Sequence, residues 1–487
     1  RAAVDGMLQS LDPYTNFYSE AQAEDYRYQV TGTYAGIGST IRTIDDYVYI
    51  ESPMDGFPAY KAGLLPGDKI LAVDGQDMKG KKSKDLTEYL KGKAGTSLEL
   101  KIERVGKGEL VKSITRENIK AKNVPYHSII ENNIGYIQLT RFTPNAGKEV
   151  KDALTQLKAK GAQSIVLDLR NNGGGLLHEA INIVNVFVPR GETIVVTKGK
   201  FDEDNRTYKT LNSPVDTDIP LAVLINKNSA SASEIVSGAL QDLDRAVIVG
   251  RNSFGKGLVQ TTKSLTYNTS MKITTAKYYL PSGRLIQRLD YGNKVNGKAV
   301  AVADSTKKTF ETRNGRVVID GEGIQPDALV ERTKYSKLTQ ALIRKNLIFQ
   351  FANEYRSKSD SVAPPMQFDI TDTDYRSFES FLADKDYTYT SDTEKKLKSL
   401  VEQAEEENHK SLLEEQLKAI EELLEQNKKN DLQIHEDELK EILEYEIIKR
   451  YYFEQGKVEI AFDDDPDWAK VKEILMNNAE YESLLVK

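Results

Sequence analysis

The spacing of apolar positions changes repeatedly along the chain, and each change predicts a different kind of element. Val4, Met7, Leu8 and Leu11 recur at helical intervals until Asp12-Pro13 breaks the pattern, which predicts a small helical segment over residues 1–28. From Val30 to Arg104, short apolar runs alternate with glycine turns; 47–50, 69–73 and 97–102 read as strands and 83–90 as a short helix. Residues 29–106 therefore predict a compact β-rich module. Beyond Pro125, strands at 134–139, 164–169, 193–196, 221–225 and 246–249 interleave with helices at 146–160, 177–187 and 231–243. That order predicts layered α/β packing over 107–331, continued by β-runs at 257–262 and 271–280 and a closing strand within 321–329. The polar stretch 290–315 lacks the apolar content for a core and reads as a surface loop or flexible hairpin. Past Arg332 the pattern turns helical and charged. Leu413, Leu417, Ile420 and Leu424 follow i, i+4, i+7, i+11 spacing, so 393–430 predicts one or two amphipathic helices. Another helix starts at Leu439 and ends near Gly456, and a last one covers 468–475, making 332–487 a helical C-terminal region.

Composition narrows the function classes. The hydrophobic set is 39% and the charged set 29% of 487 residues, as in ordinary globular chains with more than one domain. With 67 basic against 74 acidic side chains the net charge is -7, which gives no global attraction for nucleic acid or anionic lipid. Cysteine is absent, which removes disulfides, thiolate metal sites and a cysteine nucleophile. The apolar runs fall far short of the ~20 residues that span a bilayer. The chain opens at Arg1 without an initiator Met, a basic n-region or an apolar h-region, and reads as a processed product whose signal or anchor has been removed.

Three stretches carry candidate chemistry. The buried run 221–225 leads into Asn226-Lys227-Asn228-Ser229-Ala230-Ser231-Ala232-Ser233-Glu234 and then an apolar helix. A serine at a helix mouth is an ordinary N-cap, and it is also where a nucleophile and an oxyanion-binding N–H are built together. Of four histidines, His409 and His435 lie in the charged tail, while His127 and His178 lie in the α/β region in no motif that suggests a triad. Lysine is the alternative base: Lys256, in Ser253-Phe254-Gly255-Lys256-Gly257, is either a solvated turn lysine or an amine whose crowding favours the neutral form. Asp168-Leu169-Arg170-Asn171-Asn172-Gly173-Gly174-Gly175 follows a buried strand; its glycines expose N–H groups suited to an oxyanion or a phosphate, without a nucleotide-binding signature.

Together these stretches resemble the carboxy-terminal-processing, or tail-specific, serine peptidases that contain a PDZ domain. The resemblance rests on DLRNNGGG at 168–175, SASASE at 229–234, Gln241-Asp242, FGKGLVQ at 254–260, PSGRLIQ at 281–287 and GIQPD at 323–327. It also takes in Leu11-Asp12-Pro13-Tyr14, Gly36-Ile37-Gly38 and AGLLPGD at 62–68. It implies an α/β multidomain fold: a PDZ module placed before a crotonase-like α/β peptidase core, then the helical region. Carried over position by position, it makes Ser231 the nucleophile and Lys256 its general base, with Gln260 orienting the amine. The oxyanion hole would be the N–H of Ala232 with that of Gly173 or Gly174, and Glu234 and Asp242 would support the helix and site. Ser253 stands where the family often has Thr, with the hydroxyl retained. In the PDZ module, Tyr34, Ala35, Gly36, Ile37 and Gly38 would form the turn holding a peptide carboxylate, and Ser39, Thr40 and Ile41 the edge strand that takes the peptide.

The resemblance further implies that the substrates are protein or peptide C-termini, cleaved without metal or other cofactor and without nucleic acid. It implies a homodimer or higher homo-oligomer through the C-terminal helices, an activating or adaptor protein as a further partner, and a bacterial cell-envelope location facing the periplasm. Two other readings stand beside it. A crotonase-like acyl-CoA enzyme would use the same glycine turns and would not need Ser231. A latent or inactive PDZ scaffold would bind tails without cutting them, although Ser231, Lys256 and Gln260 are all present.

Overall fold

The structure, a computed structural model, describes residues 2–487 apart from 21, 23–25, 27–30, 296–297 and 333. Part of the helical segment expected over 1–28, and the start of the β-rich module expected at 29, lie outside the described residues. The chain forms two compact units, each assembled from separated stretches. Arg1–Tyr34, Lys120–Arg332 and Asp465–Lys487 make one, and Ala35–Ile119 with Thr333–Asp464 the other.

The first unit is built on a sheet in the order Tyr126–Ile129, Ile134–Gln138, Ser164–Asp168, Leu221–Ile225, Val247–Gly250, Ala328–Leu329. Its first pair is antiparallel and the rest are parallel. Every residue of the strands Ser164–Asp168, Leu221–Ile225 and Val247–Gly250 is buried. That is why their apolar runs are continuous: helices cover a parallel sheet, so no face alternates toward water. Val150 and Leu154 of Ala146–Ala159, Val184 and Phe187 of Leu177–Phe187, and Val236 and Leu240 of Ala232–Asp242 share one core with Leu167, Val223 and Ile248. Parallel order also sends the loops after Asp168, Ile225 and Gly250 out at the same end of neighbouring strands, where such sheets hold their sites.

A second sheet of this unit runs Asn16–Tyr18, Ser270–Tyr279, Thr193–Gly199, Arg206–Lys209, with Leu258–Ser264 also pairing with Ser270–Tyr279. The N-terminal helix Ala2–Gln9 ends before Asp12, which makes a turn by accepting the N–H groups of Tyr14 (2.7 Å) and Thr15 (2.8 Å). The turn lays Asn16–Tyr18 antiparallel to Ser270–Lys272. The closing strand expected within 321–329 contracts to Ala328–Leu329, since Gly321 and Gly323 take positive φ (74° and 76°) and turn the chain. The polar insert carries hairpins pairing Leu289–Val295 with Lys298–Ala301 and Thr309–Glu311 with Val317–Ile319. The final segment also belongs here. Asp465 caps the helix Pro466–Met476, Trp468 is buried edge-on to Tyr136 at 6.0 Å, and the Tyr481 hydroxyl accepts the Leu221 N–H at 2.9 Å.

The second unit contains the β-rich module: strands Ser39–Ile44, Tyr47–Pro53, Lys69–Val73, Ser97–Arg104 and Gly108–Thr115 in that order, with the helix Ser83–Leu90. Val48, Ile50, Ile70, Leu86, Leu100 and Ile102 form its core. Its last strand lies beyond residue 106; of Gly108–Thr115 only Ile114 is buried, so the sequence there carries little strand alternation. The helices Lys337–Arg344, Leu347–Lys358, Asp372–Leu382 and Glu436–Asp464 pack around Leu342, Phe351, Phe378, Leu443 and Ile447, and the helices Asp392–Glu406 and Lys410–Lys429 also belong to the unit. The stretch 393–430 is two helices, and the helix expected to stop near Gly456 runs to Asp464 with a break at Phe453 (φ 54°, ψ -142°). Within the unit, Arg42 bonds Asn346 at 2.9 Å and buried Arg450 bonds Asn353 at 3.1 Å. Among the described residues no helix is long and apolar enough to cross a membrane.

Candidate active site

Ser231 sits between the strand Leu221–Ile225 and the helix Ala232–Asp242 in a conformation that L-residues avoid, φ 56° and ψ -111°. A non-glycine residue held there costs of order 1–3 kcal/mol, so its surroundings must over-determine it. They do. Its N–H donates to Glu234 at 2.8 Å, and the Asn172 carbonyl accepts the Ala230 N–H at 3.0 Å and the Ser233 hydroxyl at 2.8 Å. The turn puts Ser231 at the positive end of a helix dipole with the Ala232 N–H beside it. Gly174 (φ 92°) closes the arrangement: a Cβ there would lie 2.6 Å from the Ala230 carbonyl oxygen and 2.8 Å from the Ala232 nitrogen.

Ser231, Ala232, Gly173, Gly174, Lys256 and Gln260 line one cleft of about 1300 Å³. All six site residues expected from the sequence are thus brought together. Glu234 joins their supports. Fully buried, it accepts hydrogen bonds from Ser231 N–H, Ser253 hydroxyl (2.5 Å), Gly255 N–H (2.6 Å) and Lys256 N–H (2.9 Å). One carboxylate therefore fixes the nucleophile turn to the lysine loop. Burial pushes it up to about 7, against the pull of these four donors. Asp242 stands at the other end of the same helix, paired with buried Arg284 at 2.8 Å and accepting the Ser282 N–H at 3.0 Å.

Burial also pushes the Lys256 amine down to about 8, helped by the Lys272 ammonium and opposed by Glu234 and Asp12. An amine so depressed is available as a base near neutral pH. The amine lies over the Tyr14 ring, 4.4 Å from its centroid, and among the described residues no hydrogen bond joins it to Ser231 Oγ. Gln260 does not hold the amine either. Its side chain donates to Thr274 at 3.4 Å, next to a bulge between Val259 and Gln260. Two residues were not foreseen. Tyr14 carries no sequence signal beyond the Leu11–Tyr14 motif. The buried Tyr278 hydroxyl, which meets the carbonyls of Ser231 and Lys256, carries no sequence signal beyond its place in a strand.

The family model for peptidase family S41 matches residues 133–296, the stretch that holds Ser231, Lys256, Gly173 and Gly174. The core of the chain, residues 133–296, belongs to peptidase family S41. The S41 core is flanked, as expected, by matches to a PDZ domain over 49–104 and to the C-terminal helical domain of a probable PDZ-protease over 338–475. A probable CtpA-like serine protease of Staphylococcus aureus is 34% identical over 342 residues, 69% of this chain and 61% of that protein. A carboxy-terminal-processing protease of Bartonella bacilliformis is 40% identical over 290 residues, 58% of this chain and 66% of its own. The chain thus spans somewhat under two thirds of these relatives' length. A solved photosystem II D1 C-terminal processing protease is similar at 28% identity and a TM-score of 0.40, covering 68% of this chain and 81% of its own.

In the PDZ domain the expected peptide contacts fall on Tyr34, Ala35 and Gly36 of the strand Thr33–Gly36, the turn at Ile37-Gly38, and Ser39, Thr40 and Ile41 of Ser39–Ile44, which lies at the end of its sheet's strand order. Ile37 is buried, and Gly38 takes φ 72° where a Cβ would meet Phe57 at 2.6 Å. The glycine is needed for the turn itself.

Proposed function

We propose that the chain is a serine endopeptidase that takes protein substrates by their C-terminal tails and hydrolyses peptide bonds with Ser231 and Lys256. The observation that carries this is a serine held at φ 56° at a helix mouth, sharing a cleft with a buried lysine whose amine is driven toward neutrality. In this mechanism neutral Lys256 takes the Ser231 Oγ proton as the oxygen attacks the scissile carbonyl. The developing oxyanion is met by the Ala232 N–H and by that of Gly173, since the Gly174 N–H already donates to Asn172 Oδ1 at 2.9 Å. The Lys256 ammonium protonates the leaving amine, and Lys256 then activates the water that releases the acyl-enzyme. The PDZ domain supplies tail recognition by adding the peptide beside Ser39–Ile41.

The placement of the Lys256 amine on the Tyr14 ring supports a second element: a resting form in which substrate binding brings the amine to Ser231. The exposed Leu412 (75%) and Leu423 (59%) on Lys410–Lys429 support assembly of copies through the C-terminal helices, with an adaptor protein as a further partner. A bacterial cell-envelope location, facing the periplasm, goes with this reading.

The test is cleavage of unstructured proteins that differ only in their last residues, with Ser231→Ala and Lys256→Ala as controls. Cutting that depends on both residues and on a free apolar C-terminus is the expected result. Cutting that survives Ser231→Ala overturns the assignment.

A further inference from the structure

Three loops leave neighbouring parallel strands at the same end: the oxyanion loop after Asp168, the nucleophile turn after Ile225 and the base loop after Gly250. The outer two begin with arginines, Arg170 and Arg251, and both guanidinium groups converge on one oxygen. Arg170 donates to Asp467 Oδ2 at 3.0 Å, and Arg251 donates to the same atom. Asp467 lies 297 residues beyond Arg170, in the terminal segment that packs on the S41 core. We propose that Asp467 is a positioning residue of the catalytic centre, holding the oxyanion loop and the base loop at a fixed separation. This rests on the Ser231–Lys256 reading above.

The surroundings argue that the carboxylate is there for the loops. Starting the helix Pro466–Met476 does not require it, because Asp465 already caps that helix by accepting the N–H groups of Asp467 (2.9 Å) and Trp468 (3.3 Å). Asp467 is only 1% exposed, and its second oxygen, Oδ1, has no hydrogen-bond partner among the described residues. Burying a carboxylate with one oxygen empty is costly and gains nothing in packing that an apolar residue would not supply. What it does supply is a bridge between two cations that flank the middle strand. Arg170 is itself locked, by Asp168 at 2.7 Å and Asp465 at 2.6 Å, so the bridge is referred to the end of the strand Ser164–Asp168. Glu234 ties the nucleophile turn to the base loop; Asp467 ties the oxyanion loop to the same base loop. Together the two carboxylates link all three loops through the base loop. The terminal helix is anchored for this by buried Trp468.

The experiment compares the full chain with Asp467→Asn, an isosteric change that removes the charge. kcat and KM are measured on a tail-bearing unstructured protein, beside amide hydrogen exchange at 171–175 and 252–257. A geometric role predicts kcat lower by about tenfold to a hundredfold, because small misplacements of reacting groups carry losses of that order, with KM within about twofold. Exchange in both loops rises, and Asp467→Glu recovers part of kcat. If Asp467→Asn does not fold, Arg251→Lys tests the same bridge and is expected to lose kcat in the same direction. Wild-type kcat in whichever variant folds overturns the positioning role while leaving the Ser231–Lys256 pair standing. Cutting that survives Ser231→Ala overturns the pair, and the positioning role with it.

Discussion

Replacing Lys272 by Met tests the electrostatics of the base. Lys272 lines the same cleft as Lys256, and its ammonium is the second cause, after burial, of the depression of the Lys256 amine to about 8. At that value about a tenth of the Lys256 amines are neutral at pH 7 and about half at pH 8, whereas an amine near 10.5 would be neutral in only about three per ten thousand at pH 7. For wild type, kcat/KM therefore rises about fivefold from pH 7 to pH 8 and about twofold more above that, then levels. Removing the Lys272 charge leaves burial, which lowers the amine, and the carboxylates of Glu234 and Asp12, which raise it. The Lys256 pKa then moves up, so the limb shifts to higher pH. Activity at pH 7 falls while the plateau above pH 9 is retained. The assay is initial cleavage rate against pH, with Lys272→Arg as the charge-preserving control. A limb centred near 10 in wild type, or a shift to lower pH in Lys272→Met, would refute the reasoning.

Further predictions concern the same supports. Because the folded pKa of Lys256 lies below 10.5, charging it in the fold costs stability at every pH below about 8, a cost that fades between there and 10.5. Lys256→Met should abolish cutting yet raise the unfolding free energy at pH 7 by up to about 3 kcal/mol in urea titrations; a destabilised variant would contradict this. Glu234→Gln puts an amide where four donors converge and should cost about 1–3 kcal/mol together with most activity, read by thermal melts and cleavage, while wild-type behaviour would remove Glu234 as the tie. Gly174→Ala places a methyl 2.6 Å from the Ala230 carbonyl oxygen and should lower kcat by more than tenfold with tail binding intact, unless the loop can move aside unaided. Trp468→Ala should cost about 3–5 kcal/mol, and a small loss would mean that the terminal helix packs only loosely on the core.

Much of the fold was legible because it is written locally. The runs at 164–169, 221–225 and 246–249 are continuous apolar stretches bounded by turn residues, and all lie in buried parallel strands. The nucleophile turn and lysine loop were legible as motifs, since small residues and glycines are required where backbones approach as closely as Gly174 and Ala230 do. Long-range placement was not. Nothing near Gln260 announces the bulge beside it or the bond to Thr274. The helix at 468–475 was expected from its spacing, but its neighbours were not, because a helix's apolar stripe says that it is covered and not by what. Tyr14 reaches Lys256, and Asp467 reaches Arg170 and Arg251, only through tertiary folding.

The order in which the chain is made gives the terminal segment a further consequence. Domains tend to fold as they emerge during translation, N-terminal parts first. Here the S41 core receives Trp468, Asp467 and Tyr481 only after residues 333–464 have been synthesised, long after Ser231 and Lys256. A nascent chain would therefore carry Ser231 and Lys256 outside the ribosome for more than two hundred residues of synthesis before its oxyanion and base loops are bridged. If Asp467 positions these loops as proposed, cutting by Ser231 and Lys256 stays slow until elongation has passed Asp467. Chains ending before Asp465 should react with a serine-directed acylating probe about tenfold to a hundredfold more slowly than the full chain.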